Sequence, residues 1–190
     1  MNQPAIRAIL EDHQALSAVL RSFQLRIERA RHDHARPDFG ALRAMLFYLD
    51  EAPAHLHHAR ENTHLFPVLR ERCPPLGPVI DRLEADHAMA EAALLRLERA
   101  MLAFEVMGDS RREAFEAAAH RYVESYLGHM EVEENYLIPV ALGCFTDDDW
   151  RHLNTAFDPG DDPDLRGEAE EYRQLLRRVL FQDNTISRCQ

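Results

Sequence analysis

The stretch His57 to Pro67, HHARENTHLFP, returns in large part at 129–139 as HMEVEENYLIP. Both copies read His-x-x-x-Glu-x-x-x-Leu-(Phe/Ile)-Pro: His57, Glu61, Leu65 and Pro67 are answered by His129, Glu133, Leu137 and Pro139. A shorter echo, Asp12-His13 and Asp86-His87, precedes each copy. The long motifs stand 72 residues apart and the short ones 74, so the chain reads as two helical hairpins built on one plan.

Periodicity supplies the helices. Ile6, Ile9, His13, Leu16, Leu20, Phe23 and Ile27 recur at steps of three and four, which puts His13 on the apolar stripe of a first helix. That helix is expected to stop in RHDHARPD (31–38), where Pro37 and Asp38 open the next. The second carries Leu42, Leu46 and Leu49, meets Pro53, where a kink or split is expected, and continues through His57, Glu61, Leu65 and Val68. A third runs Ile80, Leu83, His87, Ala90, Leu94, Leu97, Met101 and Phe104 and closes at Gly108. Ser110 and Glu113 then give a capping-box spacing. The fourth reads Phe115, Ala119, Tyr122, Tyr126, His129, Glu133, Tyr136 and Val140 as one buried seam, and its tyrosines as core. Few glycines and few β-branched residues agree with helix throughout.

The expected fold is therefore all-α: an up-down-up-down four-helix bundle over 1–144 with a short helical C-terminal extension over 145–190. In the extension, Thr146 to Asp149 caps a helix bearing Trp150, Leu153 and Phe157. A last amphipathic segment, roughly 168–181, carries Tyr172, Leu175, Leu176, Val179 and Phe181. This extension is expected to pack on the bundle or to join two subunits as a homodimer.

Composition excludes several functions. A formal charge of −11 with no basic face argues against nucleic acid and anionic membranes as partners. No apolar run reaches membrane-span length and the N-terminus has no secretory h-region, so a cytoplasmic protein is expected. Cys73, Cys144 and Cys189 show no C-x-x-C spacing; Cys73 and Cys144, which follow Pro67 and Pro139 at similar intervals, read as buried thiols in preference to a redox pair.

Antiparallel neighbours share a level when they are equidistant from their connecting loop. Residue 35 lies midway between His13 and His57, residue 72 between His57 and His87, and Gly108 between His87 and His129. All three fall in expected loops, so four histidines and two glutamates converge inside the bundle. Two buried glutamates would each cost several kcal/mol of desolvation or take up a proton, which a bound cation prevents. Imidazole with carboxylate suits iron, zinc or manganese. Two His-x-x-x-Glu turns plus one further histidine per hairpin can hold two ions, with Glu61 and Glu133 bridging. Chance explains little of this: 11 His and 18 Glu predict about one His-x-x-x-Glu pair, and the sequence has four. Of the others, His120/Glu124 lies off the seam, and His87/Glu91 has Ser17 at the matching place in the first repeat. A ferritin-like pattern of Glu-x-x-His on two helices fails, because the fourth helix has none.

With these residues in place the sequence resembles the hemerythrin-like family, the HHE cation-binding domains, over roughly residues 5 to 143. The resemblance implies His13, His57, Glu61, His87, His129 and Glu133 as ligands of two iron ions in a non-haem di-iron centre, with zinc or manganese as substitutes. Oxygen-carrying members use a fifth histidine one turn beyond the third-helix ligand, where this sequence has Glu91, which argues against reversible oxygen carriage. Relatives with the four-His, two-Glu set act in iron sensing, nitric-oxide and peroxide responses, and iron–sulfur repair. The expected function is binding or sensing a small oxidant: dioxygen, nitric oxide or peroxide. The alternatives are a di-iron redox enzyme or iron-repair factor, and a structural-metal bundle that acts as an interaction module.

Overall fold

The computed structural model describes residues 3–51, 54–158 and 163–181. Pro4, whose missing N–H costs nothing in a first helical turn, opens α1 (Pro4–His32). The expected stripe is buried, from Ile6 through Ile27, with His13 among the apolar side chains. Asp38 takes up the free Ala41 N–H at the entry to α2 (Phe39–Glu51), whose Leu42, Leu46 and Leu49 are buried as expected. The kink expected at Pro53 falls outside the described residues.

α3 (Ala54–Arg60) runs into a single π-helical turn, Glu61–Leu65, and then α4 (Phe66–Arg72). α5 (Gly77–Met107) follows and ends at Gly108, whose φ of 80° favours a residue without Cβ. α6 (Arg112–Val132), a second π-turn (Glu133–Leu137) and α7 (Ile138–Cys144) repeat the α3–π–α4 sequence. α1 packs against α2 and α6, and α5 packs against the same two. Among the described residues no helix is long and apolar enough to cross a membrane.

Two expectations need correction. The Ser110 capping box does not form. Asp109–Arg111 make a 3-10 turn that moves the start of α6 to Arg112, whose guanidinium bonds Asp109 and the Ala35 carbonyl. The fourth-helix seam does not continue regularly either. The π-turn adds a residue to the turn and shifts the phase, so Tyr136 is 51% exposed while Leu137 and Ile138 are buried. Leu69 likewise takes the buried place expected for Val68.

The six polar residues divide the apolar interior. On one side lie Leu16, Phe23, Leu46, Leu97, Phe104, Phe115 and their neighbours. On the other lie Ile9, Leu65, Phe66, Ile80, Leu83 and Leu137, with Trp150 and Leu153 of α8 (Asp147–Ala156). α8 starts in the expected capping box: Thr146 Oγ1 accepts from Asp149 N–H, and Asp149 accepts from Thr146 N–H. It is fixed to the bundle by Arg72–Asp149, paired through two bonds of 2.9 and 3.0 Å, and by Asn154, which accepts from Ala5 N–H. α9 (Pro163–Phe181) lies on α1 and α2 with Val179 buried. Cys73 and Cys144 are free and partly buried, with their thiols in contact; burial first, then Cys73, pushes Cys144 up to about 11. Cys189 lies outside the described residues.

Candidate metal centre

The repeated plan delivers its residues to one place. His13 comes from α1, His57 from α3, Glu61 from the first π-turn, His87 from α5, His129 from α6 and Glu133 from the second π-turn. Each π-turn has a local cause. Pro67 and Pro139 lack an N–H, and the proline ring would meet the carbonyl four residues back in a regular helix. Widening the turn relieves this: Phe66 N–H bonds Glu61 O and Ile138 N–H bonds Glu133 O, both five residues back. The ligand-type glutamate begins the wide turn in both copies.

The residues form two poles. His13 Nε2 and His57 Nε2 are 3.0 Å apart at one; His87 Nε2 and His129 Nε2 are 2.9 Å apart at the other. Both glutamates span the poles. Glu61 Oε1 is 3.2 Å from His57 and its Oε2 is 3.5 Å from His87. Glu133 Oε1 is 3.2 Å from His129 and its Oε2 is 3.3 Å from His13. Two imidazole nitrogens on one ion at bonds of ~2.0–2.1 Å stand about 3 Å apart, as these do.

A hydrogen bond between the nitrogens would give the same spacing, but the glutamates argue for a cation. Glu61 is 0% and Glu133 1% exposed, and all four carboxylate oxygens lack a hydrogen-bond partner among the described residues. Buried carboxylate oxygens are normally satisfied. The donor set therefore fits two cations, each facing two imidazoles and one oxygen of each glutamate. The atoms of His13, His57, Glu61 and Glu133 lie mutually within 4.8 Å, as do those of Glu61, His87, His129 and Glu133.

Electrostatics agree. Burial, followed by the charge of Glu133, raises the Glu61 carboxyl well above the carboxylate range. Burial acts the same way on Glu133, but the imidazoles of His129 and His13 facing it hold it well below that range. Burial lowers His57, and it lowers His87 to about 3 with help from His129. Burial acts against the charged form of His129 too, but Glu133 and Asp86 outweigh it and raise His129. One glutamate thus keeps a proton that a cation would replace.

The outer nitrogens follow the repeat too. His13 Nδ1 meets Glu134 and His87 Nδ1 meets Asn62, both at 2.9 Å, and positions 62 and 134 are 72 apart. His57 Nδ1 faces Asp12 and His129 Nδ1 faces Asp86, each at 3.5 Å, ion-pair contacts that are not formed hydrogen bonds. These partners turn each Nε2 inward. Sequence reasoning recorded the Asp-His echo but assigned the aspartates nothing, and it passed over Asn62 and Glu134. Their signal was the repeat itself.

The poles differ in surroundings. A cavity of about 490 Å³ takes His58, His87 and His129 into its wall, and neither His13 nor His57. A smaller cavity of about 360 Å³ also reaches His58 and His87. His58 lies against the open pole, its ring stacked on His87 at 3.9 Å. Glu91 remains exposed on the rim of the smaller cavity and joins none of the ligand clusters found among the described residues. His120, His32 and His34 are exposed, as expected. His64 is 3.3 Å from His152 of α8.

A family model, the hemerythrin HHE cation binding domain, matches residues 5–141. The chain belongs to this family. Membership implies a bound metal cation, and the His/Glu cluster is where this hemerythrin-type chain can hold it. Comparison with curated proteins and with solved structures finds no match.

Proposed function

We propose that the protein is a non-haem di-iron protein that binds or senses a small oxidant: dioxygen, nitric oxide or peroxide. The observation that carries this reading is the pair of buried glutamates whose four unpartnered oxygens divide evenly between two histidine pairs. His13 and His57 would hold one ion, His87 and His129 the other, with Glu61 and Glu133 shared. The long helical stretches are read as an up-down-up-down four-helix bundle over 1–144, with 145–190 as an extension.

Iron at this place would supply one-electron redox chemistry and a coordination position for a small ligand. The chain supplies the rest. Glu134 and Asn62 hold the imidazoles of His13 and His87, while Asp12 and Asp86 balance the charge behind His57 and His129. The apolar residues on both sides keep bulk water from the carboxylates.

A second reading, a di-iron redox enzyme working on peroxide or nitric oxide, is favoured by the cavity at one pole, since an ion needed only for structure gains nothing from access. Metal analysis with an optical spectrum of protein purified without chelator tests both. Two irons per chain with a diferric absorption band are expected; one zinc and no colour would reject both.

A further inference from the structure

His58 has no counterpart in the repeat. Seventy-two residues on stands Met130, buried in the apolar core, and the place matching Tyr126 is Ala54. These two unrepeated residues meet: the Tyr126 hydroxyl lies 3.3 Å from His58 Nε2. A ligand nitrogen of His58 lies within 4.8 Å of those of His87 and His129, so the open pole has three imidazoles where the sealed pole has two. His58 also lines both cavities, with His87, Ala90, Tyr122 and Tyr126 as their other shared walls. His58 therefore stands beside the open pole in the wall of each cavity.

We propose that His58 is a movable fifth imidazole for the ion at His87 and His129, stored on the Tyr126 hydroxyl and exchanged onto that ion when no outside ligand is bound. The inference rests on the di-iron reading above. The chemistry favours exchange over permanent ligation. A tyrosine hydroxyl carries its proton at ordinary pH, so Tyr126 can donate and His58 Nε2 accept. The same lone pair serves a cation, and only one acceptor can use it at a time. The parallel stack on His87 is a storage position, because two rings 3.9 Å apart and 19° from parallel do not aim their nitrogens at one point. His58 would thus set how much of the open pole a small anion finds vacant.

Azide, a small anionic iron ligand, tests this on the full-length iron-loaded protein by optical titration, with imidazoles per iron counted by X-ray absorption. H58A should keep both irons, show fewer imidazoles per iron, and tighten azide about tenfold if His58 fills the position about nine-tenths of the time. Y126F, which removes the storage bond, should raise the imidazole count and weaken azide by a few-fold. A residue that merely lined the wall would not move the two variants in opposite directions. Azide affinities that shift together, or that stay within twofold of the parent while two irons are bound, overturn the exchange alone. A parent chain that takes up no iron overturns the exchange and the di-iron reading together.

Discussion

At one pole of the centre, His13 and His57 are each 1% exposed and their backing groups are Glu134 and Asp12. At the other, His129 is 7% exposed, the backing groups are Asn62 and Asp86, and His58 and a cavity stand alongside. The repeat made the two ligand sets nearly identical; the residues outside the repeat made their surroundings unlike. On the proposed reading, holding an ion is a property of the repeated positions, and access to it a property of the unrepeated ones. A duplicated framework can keep one pole sealed as an anchor while the other faces the cavity.

The largest effect expected is one that ignores the difference between poles. On the proposed di-iron reading Glu61 and Glu133 serve both, so Glu61→Ala or Glu133→Ala should take metal content from two ions per chain toward zero by elemental analysis. Loss of a single ion would show that the glutamates do not bridge.

Next comes a substitution at each pole. His13→Ala should cost the sealed ion and leave an ion that still answers azide, whereas His87→Ala should abolish the azide response; His120→Ala, at an exposed position, should change neither. Equal responses from His13→Ala and His87→Ala would remove the distinction between sealed and open.

Smaller and symmetric changes are expected one layer out. Asp12→Asn and Asp86→Asn should each weaken metal binding about 10- to 100-fold, as lost outer partners of metal-bound histidines do. A loss at only one of them would mean the backing groups are not equivalent.

The metal-free protein should lose stability as pH falls. The unfolded chain protonates its histidines near 6.5, while folded His87 does so only at about 3 and His58 at about 2. Between these values the unfolded state binds more protons, so stability drops with falling pH. His129, raised, works in the opposite sense: its contribution is present below 6.5 and fades as pH rises through its folded value. Of the depressed imidazoles at the centre, His58 and His87 lie at the open pole and His57 at the sealed one, so H58Q with H87Q should flatten the dependence of melting temperature on pH more than H57Q does.

The smallest effect belongs to Glu91. The ferrous protein should oxidise in air without releasing dioxygen again, and Glu91→His should slow this only a few-fold, because the side chain stands on the cavity rim. Stable cycles of oxygenation in the unmodified protein would restore the carrier reading.

Much of this was legible in the sequence. Helical stripes, their breaks near residue 35 and at Gly108, and the meeting of six residues all follow from spacing, because a helix converts sequence intervals directly into height. Local deviations were not legible. Pro67 and Pro139 announced trouble in the helix but not its form, so Tyr136 was assigned to the core that Leu137 and Ile138 occupy. Ser110 satisfied a spacing rule that the 3-10 turn before α6 overrode. His58 could compete with His57 for the ligand role by sequence but has no counterpart in the repeat, and Tyr126 read only as core, so spacing alone did not bring the two together.

The polar layer that divides the interior has a consequence for cooperativity. The apolar cluster around Phe23 and Phe115 and the one around Phe66 and Trp150 meet across a slab of imidazole and carboxylate, which contributes little cohesion when it is metal-free. Bound cations would rivet that slab, so that the two clusters open as one unit. Without them the Trp150 side, which includes the helix ends and α8, should exchange its amide hydrogens sooner than the Phe115 side. Hydrogen exchange read residue by residue would then record metal occupancy as the merging of two protection levels into one.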